Sequence, residues 1–116
     1  MFKLNPNPTF VREVELTIPG ELQPGKVNFT FWHKSREELD EWVKKPLAAQ
    51  EAGTPINDLD YLMEVVVRWE GVFDDDGVEV EFSKDAFGGF INDYQTSPTE
   101  IFEAYIKGLT ESRAKN

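Results

Sequence analysis

Apolar and polar positions alternate in the first third of the chain. Phe10, Val14, Leu16 and Ile18 oppose Val11, Glu13, Glu15 and Thr17, with Arg12 the exception on the apolar side. Period two is the mark of a half-buried strand. Pro19-Gly20 through Pro24-Gly25 is turn chemistry. Lys26–His33 then alternates again, with Val27, Phe29 and Phe31 on one face and Asn28, Thr30 and Trp32 on the other. The pattern predicts an antiparallel hairpin over 10–33, which must pack on helices or join a larger sheet to be stable.

The chain is organised around Asp58–Trp69, DLDYLMEVVVRW. On a helix at about 100° per residue, Asp60, Glu64 and Arg68 fall on one stripe about 80° wide, leaving an apolar arc of roughly 240°. A surface helix has a far narrower stripe, so the reading is a central buried helix with one wet edge. A short buried strand through Val65–Val67 is the alternative, and period two fails upstream of it at Leu62-Met63.

Further helices are announced by their caps. Ser35 with Glu38 spells a capping box. Leu39, Trp42, Val43 and Leu47 follow at helical spacing, with Asp40–Lys44 and Glu41–Lys45 as favourable pairs. Pro46 is expected to kink or end that helix. Asn57 can cap the central helix, and Gly71 can end it. Ser83 caps a third helix, with Phe82 and Phe87 at staple spacing. Ser97-Pro98-Thr99-Glu100 opens a fourth, whose apolar face is Ile101, Phe102, Tyr105, Ile106 and Leu109. The expected fold is α+β: an N-terminal antiparallel β-hairpin followed by about four α-helices around a central buried one. One domain is expected over 1–116, with the helical part at 35–112 and a frayed tail from 110.

Composition narrows the function. The net charge is −10, from 22 acidic and 12 basic residues. Phosphate neutralisation needs a basic stripe, so nucleic acid and anionic membrane surfaces are poor partners. Without cysteine there is no disulfide, thiolate metal site or cysteine nucleophile. MFKLNPNPTF is broken by two prolines, so no signal peptide or membrane span is read there, and a soluble cytosolic protein is expected.

Little chemistry is visible. Asp74-Asp75-Asp76-Gly77 resembles a calcium loop, but setting Gly77 at its sixth position puts Val72 first and Ser83 twelfth, where carboxylates are needed. An acidic solvated turn is the simpler reading. His33, the lone histidine, reads as a strand-end residue, and no nucleophilic triad can be assembled around it. Gly88-Gly89 lacks the lysine of a phosphate loop and interrupts a helical pattern; either another element approaches closely there or the helix breaks. No catalytic residue, metal site or cofactor site is assigned, and the chain does not read as an enzyme. Three Trp, nine Phe and three Tyr exceed what a small core needs as filler. Trp32, Tyr61, Val65 and Phe73 are the candidates for a partner-binding surface, since aromatic and apolar groups rimmed by charge are typical of contact surfaces.

The order of features resembles the phage tail assembly chaperones of siphophages and their prophages. The resemblance lies in Phe2–Phe10 (FKLNPNPTF), Phe29–Trp42 (FTFWHKSREELDEW), Val66–Val72 (VVRWEGV), Phe82–Tyr94 (FSKDAFGGFINDY) and Ile101–Asn116 (IFEAYIKGLTESRAKN). It implies a non-enzymatic role in the host bacterial cytoplasm. There such proteins bind the long, hydrophobic, helical tape measure protein until the tail tube polymerises, and they are absent from the virion. The tail tube protein and further copies of the chain are additional candidate partners. Many such chaperones also occur in a longer, frameshifted form. The ending Ala114-Lys115-Asn116 is compatible with a slippery codon run, a hypothesis that the nucleotide sequence tests directly.

Two other readings compete. A small acidic adaptor or inhibitor, such as a DNA mimic, is motivated by the charge and the Asp74–Glu81 cluster. A structural tail component retained in the virion is the other.

Overall fold

The computed structural model describes residues 1–111. The alternating stretches form β1 (Thr9–Leu16) and β2 (Gly25–Trp32), antiparallel and in register from Thr9↔Trp32 to Leu16↔Gly25. Val14, Leu16, Val27, Phe29 and Phe31 are buried on one face, while Glu13, Glu15 and Asn28 meet water on the other. Each such buried side chain contributes roughly 2 kcal/mol. A third strand, β3 (Val66–Glu70), pairs antiparallel with β2, giving the order β1-β2-β3. Among the described residues four helices accompany the sheet: α1 (Arg36–Glu51), α2 (Asp58–Met63), α3 (Lys84–Asp93) and α4 (Ser97–Thr110). The α+β class, the N-terminal hairpin and the four helices agree with the sequence.

The central buried helix does not. Asn57 caps α2, its side-chain oxygen accepting from Asp60 N at 2.8 Å, but the helix ends at Met63 and the chain continues as β3. Three consecutive valines disfavour a helix and suit a pleated strand. The edge of β2 supplies the partner such a strand needs. The helical appearance has a physical source. Pairing slips between Thr30 and Phe31, so that Thr30 faces Arg68 but Phe31 faces Val66, leaving Val67 as the extra residue of a β-bulge. Val66 and Trp69 therefore both face the core at a spacing of three. With Tyr61, Leu62 and Val65 the buried positions run 61, 62, 65, 66, 69, a helical repeat made by a short helix and a bulged strand.

In α1 the capping box is present: Ser35 N donates to Glu38 Oε1 at 2.8 Å and Glu38 N to Ser35 Oγ at 3.2 Å. The bonds from the Ser35 backbone and hydroxyl hold the Glu38 carboxyl below the usual range. The helix runs through Pro46 to Glu51 rather than ending there. Pro46 has no N–H for the Trp42 carbonyl one turn back. The Tyr61 hydroxyl donates to that carbonyl instead, at 2.6 Å. The Tyr61 ring stacks on Trp42 with centroids 4.2 Å apart. Burial, then the nearby Glu64 charge, pushes the Tyr61 hydroxyl up to about 12. Lys45 reaches Glu64 at 2.8 Å rather than Glu41, while the Asp40–Lys44 pair forms at 3.0 Å. Val43 and Leu47 of the expected apolar stripe stay exposed; Trp42 carries the docking of α1.

The remaining helices fix the aromatic core over the sheet. Ser83 Oγ accepts from Ala86 N at 3.0 Å, and Phe82 meets Phe87 at 5.5 Å as the staple spacing predicts. The α4 opening differs from the expected capping box. Ser97 is buried, its hydroxyl donating to Tyr94 O at 2.7 Å. The Glu100 carboxylate accepts from Thr17 N at 3.1 Å and from the Thr17 hydroxyl, tying α4 to the end of β1. Tyr105 is buried and donates to Trp32 O at 2.7 Å. Burial raises its hydroxyl further still, with the Glu38 charge adding to the shift. Of the tail expected to fray from 110, Thr110 instead ends α4 and Glu111 N donates to Lys107 O at 2.8 Å; the rest, with the Ala114-Lys115-Asn116 ending, lies outside the described residues.

Candidate functional site

The core does not fill the whole length of the sheet. At the Leu16–Gly25 end a groove of about 500 Å³ opens between the hairpin, the segment after β3 and one face of α3. Ala86, Gly89, Phe90 and Asp93 line it from α3, at the spacing that puts them on one helical face. Trp69 of β3 lies opposite, with Val72 and Val80 of the segment that follows it, and Leu16, Ile18 and Val27 come from the hairpin. The Trp69 ring is fixed there by its own N–H, which donates to Val80 O at 2.8 Å. Apolar and aromatic side chains are the largest group in the lining, polar atoms make up nearly half of its surface, and Lys26, Asp75 and Asp93 are its charges.

The acidic turn forms one lip. Asp74 Oδ1 accepts from the backbone N–H of Asp76 and of Val78, both at 2.9 Å, and Asp74 N donates to Val78 O. Asp74 is thus engaged in shaping a turn that carries Phe73 on its rim. Among the described residues no group of three acids or histidines stands close enough to hold a metal ion.

The four residues singled out from the sequence part company. Phe73, 59% exposed, lines the groove. Trp32, 45% exposed, stands at the end of β2 opposite Thr9, on the sheet face away from the helices and at the far end from the groove. Tyr61 and Val65 are inside, at 8% and 0% exposure. Their selection rested on the outer arc of a helix that ends at Met63. Tyr61 instead supplies the hydroxyl for Trp42, and Val65 O accepts from Trp32 N at 2.8 Å.

The residue that sequence reasoning left undecided is Gly89. Its neighbour Gly88 is explained within the chain, because a Cβ there would lie 3.1 Å from Leu59 Cδ2. Gly25 and Gly108 are held by Ile18 and Phe10 in the same way, and Gly20, Gly53, Gly71 and Gly77 have positive φ. At Gly89 the helix is regular, and an added Cβ would meet nothing within 4 Å. A helix-interior glycine costs about 1 kcal/mol relative to alanine. Nothing in the fold requires that cost, and the bare backbone faces the groove. The doubled glycine was the visible signal; which of the two faced a neighbour was not visible.

No helix of the described residues is long and apolar enough to cross a membrane. A family model described as phage tail assembly chaperone matches residues 1–116, the whole chain. Neither a curated protein nor a solved structure gives a match.

Proposed function

The chain belongs to the phage tail assembly chaperone family, and we propose that it works without catalysis, by seating the apolar face of a client helix in the groove between α3 and Phe73. The client is the hydrophobic, helical tape measure protein, held soluble in the host cytoplasm until the tail tube polymerises around it. Gly89 carries this reading: a helix wall without a side chain lets another backbone approach closely, and the chain itself makes no use of that space. Groove recognition of an amphipathic helix needs apolar side chains along a trough with few charges at its rim.

The magnitudes suit a temporary hold. Two aliphatic side chains seated in the groove contribute about 3–6 kcal/mol before association costs. That corresponds to weak, reversible binding at one site. Several copies along one long client raise the total through avidity. The net charge of −10 keeps such complexes apart from one another.

The test is a tagged pull-down during phage growth, with low- and high-salt washes, using wild type and Gly89→Leu. Retention of the tape measure protein at high salt by wild type, and its loss by a folded Gly89→Leu, is the expected outcome. Capture of only a nucleic-acid enzyme, released by salt, would replace the chaperone reading with a charge mimic. Detection of the protein in purified virions by mass spectrometry would replace it with a structural tail component.

A further inference from the structure

Residues 1–8 form neither helix nor strand. Phe2 and Leu4 are fully exposed on this arm. Between them stands Lys3, and the first acid in the chain is Glu13, although the protein as a whole is at −10. The arm is therefore the chain's apolar and locally cationic stretch. The groove is its complement: apolar side chains such as Val72, Val80 and Phe90, with Asp75 and Asp93 against the single cation Lys26.

We propose that the groove of one copy takes the Phe2–Leu4 segment of a second copy. The proposal rests on the reading of this groove as a docking surface and names a second occupant for it. The arm of the same copy is excluded by reach. It leaves the body at Pro8, whose carbonyl accepts from His33 N at 2.7 Å beside the Thr9–Trp32 pair, whereas the groove lies at the Leu16–Gly25 end. Phe2 is about six residues from Pro8, at most ~22 Å when fully extended. Pro8 and Leu16 are separated along β1 by roughly 27 Å. Doubling back, the arm therefore stops short of Leu16 on the near lip. A second copy has no such limit, and exchange of two arms closes a two-fold pair. Pro6 and Pro8 restrict the backbone of the arm, which lowers the entropy lost when it docks. Arm and client then compete for one groove, so a free chaperone covers its own apolar surface until a client arrives.

Sedimentation equilibrium of the full chain over a concentration series tests this, alongside F2S/L4S and G89L. Wild type is expected to self-associate, and both variants to do so at least about tenfold more weakly, F2S/L4S because it loses two apolar anchors and G89L because its side chain fills the groove. A fluorescent peptide of residues 1–9 is expected to bind F2S/L4S protein and to fail on G89L. Wild type that stays monomeric, variants that associate like wild type, or a peptide that binds G89L equally well would each overturn the proposal. Titrating a tape measure helix onto F2S/L4S separates the two readings. If that helix binds and the arm peptide does not, the arm proposal alone has failed. If neither binds, the groove reading has failed with it.

Discussion

The two ends of the sheet use aromatic residues differently. At the Thr9–Trp32 end the rings close on each other: Trp42 stacks on Tyr61, meets Phe102 at 5.5 Å and meets Tyr105 edge-on at 5.4 Å. Both buried tyrosine hydroxyls there donate to carbonyls. Trp42 Nε1 is buried without a partner, a cost of about 1–3 kcal/mol. Three ring contacts at about 0.5–1.5 kcal/mol each offset it. At the Leu16–Gly25 end Trp69, Phe82, Phe87 and Phe90 also pack together, yet the packing stops short and leaves a trough. Similar side chains thus complete a fold at one end and leave an open trough at the other. Aromatic content alone does not tell these uses apart; what bounds the cluster does.

The sharpest way to break the closed end is Trp42→Ala. It should lower stability by about 3–5 kcal/mol in urea unfolding, since it removes the anchor of α1. Client binding per folded molecule should be unchanged. Tyr61→Phe is milder, leaving the stack but stranding the Trp42 carbonyl, and should cost about 1–3 kcal/mol by the same assay.

Alkaline titration probes that end without mutation. The Tyr61 hydroxyl ionises near 10 when unfolded and near 12 when folded, so between those values the folded chain holds a proton that the unfolded chain has released. Stability is therefore full below about pH 10 and falls as pH rises towards 12. Thermal melts across that range should show the decline, and Tyr61→Phe should reduce it, leaving the part that the buried Tyr105 hydroxyl contributes.

The smallest effect sharpens the contrast best. Gly89→Ala should raise stability by up to about 1 kcal/mol, because helix propensity improves and nothing is displaced. Gly88→Ala should gain less, since Leu59 must yield. A stabilising change at Gly89 that weakens client capture would mark the open end as functional. Unfolding midpoints and pull-down yields on the same variants decide it.

The hairpin, three caps and the Phe82–Phe87 staple were legible in the sequence because each depends on residues close along the chain. The strand β3 was not. Its bulge at Val67 produces helical spacing, and only the paired edge of β2 distinguishes the two structures. Tyr61 and Val65 were misplaced with it. Phe73 was found on the groove because an aromatic beside an acidic turn has little to pack on locally. The groove itself joins residues from Leu16 to Tyr94 and has no local signature apart from Gly89.

Pro46 carries a consequence for the order of events in folding. A helix interrupted by proline loses about 3 kcal/mol of local propensity. The carbonyl it leaves over is bonded by Tyr61, which lies beyond the intervening loop. The second half of α1 is thus stable only after α2 has arrived, although its residues are adjacent in sequence. The segment should remain open in the rate-limiting species and close late, after the strands have paired.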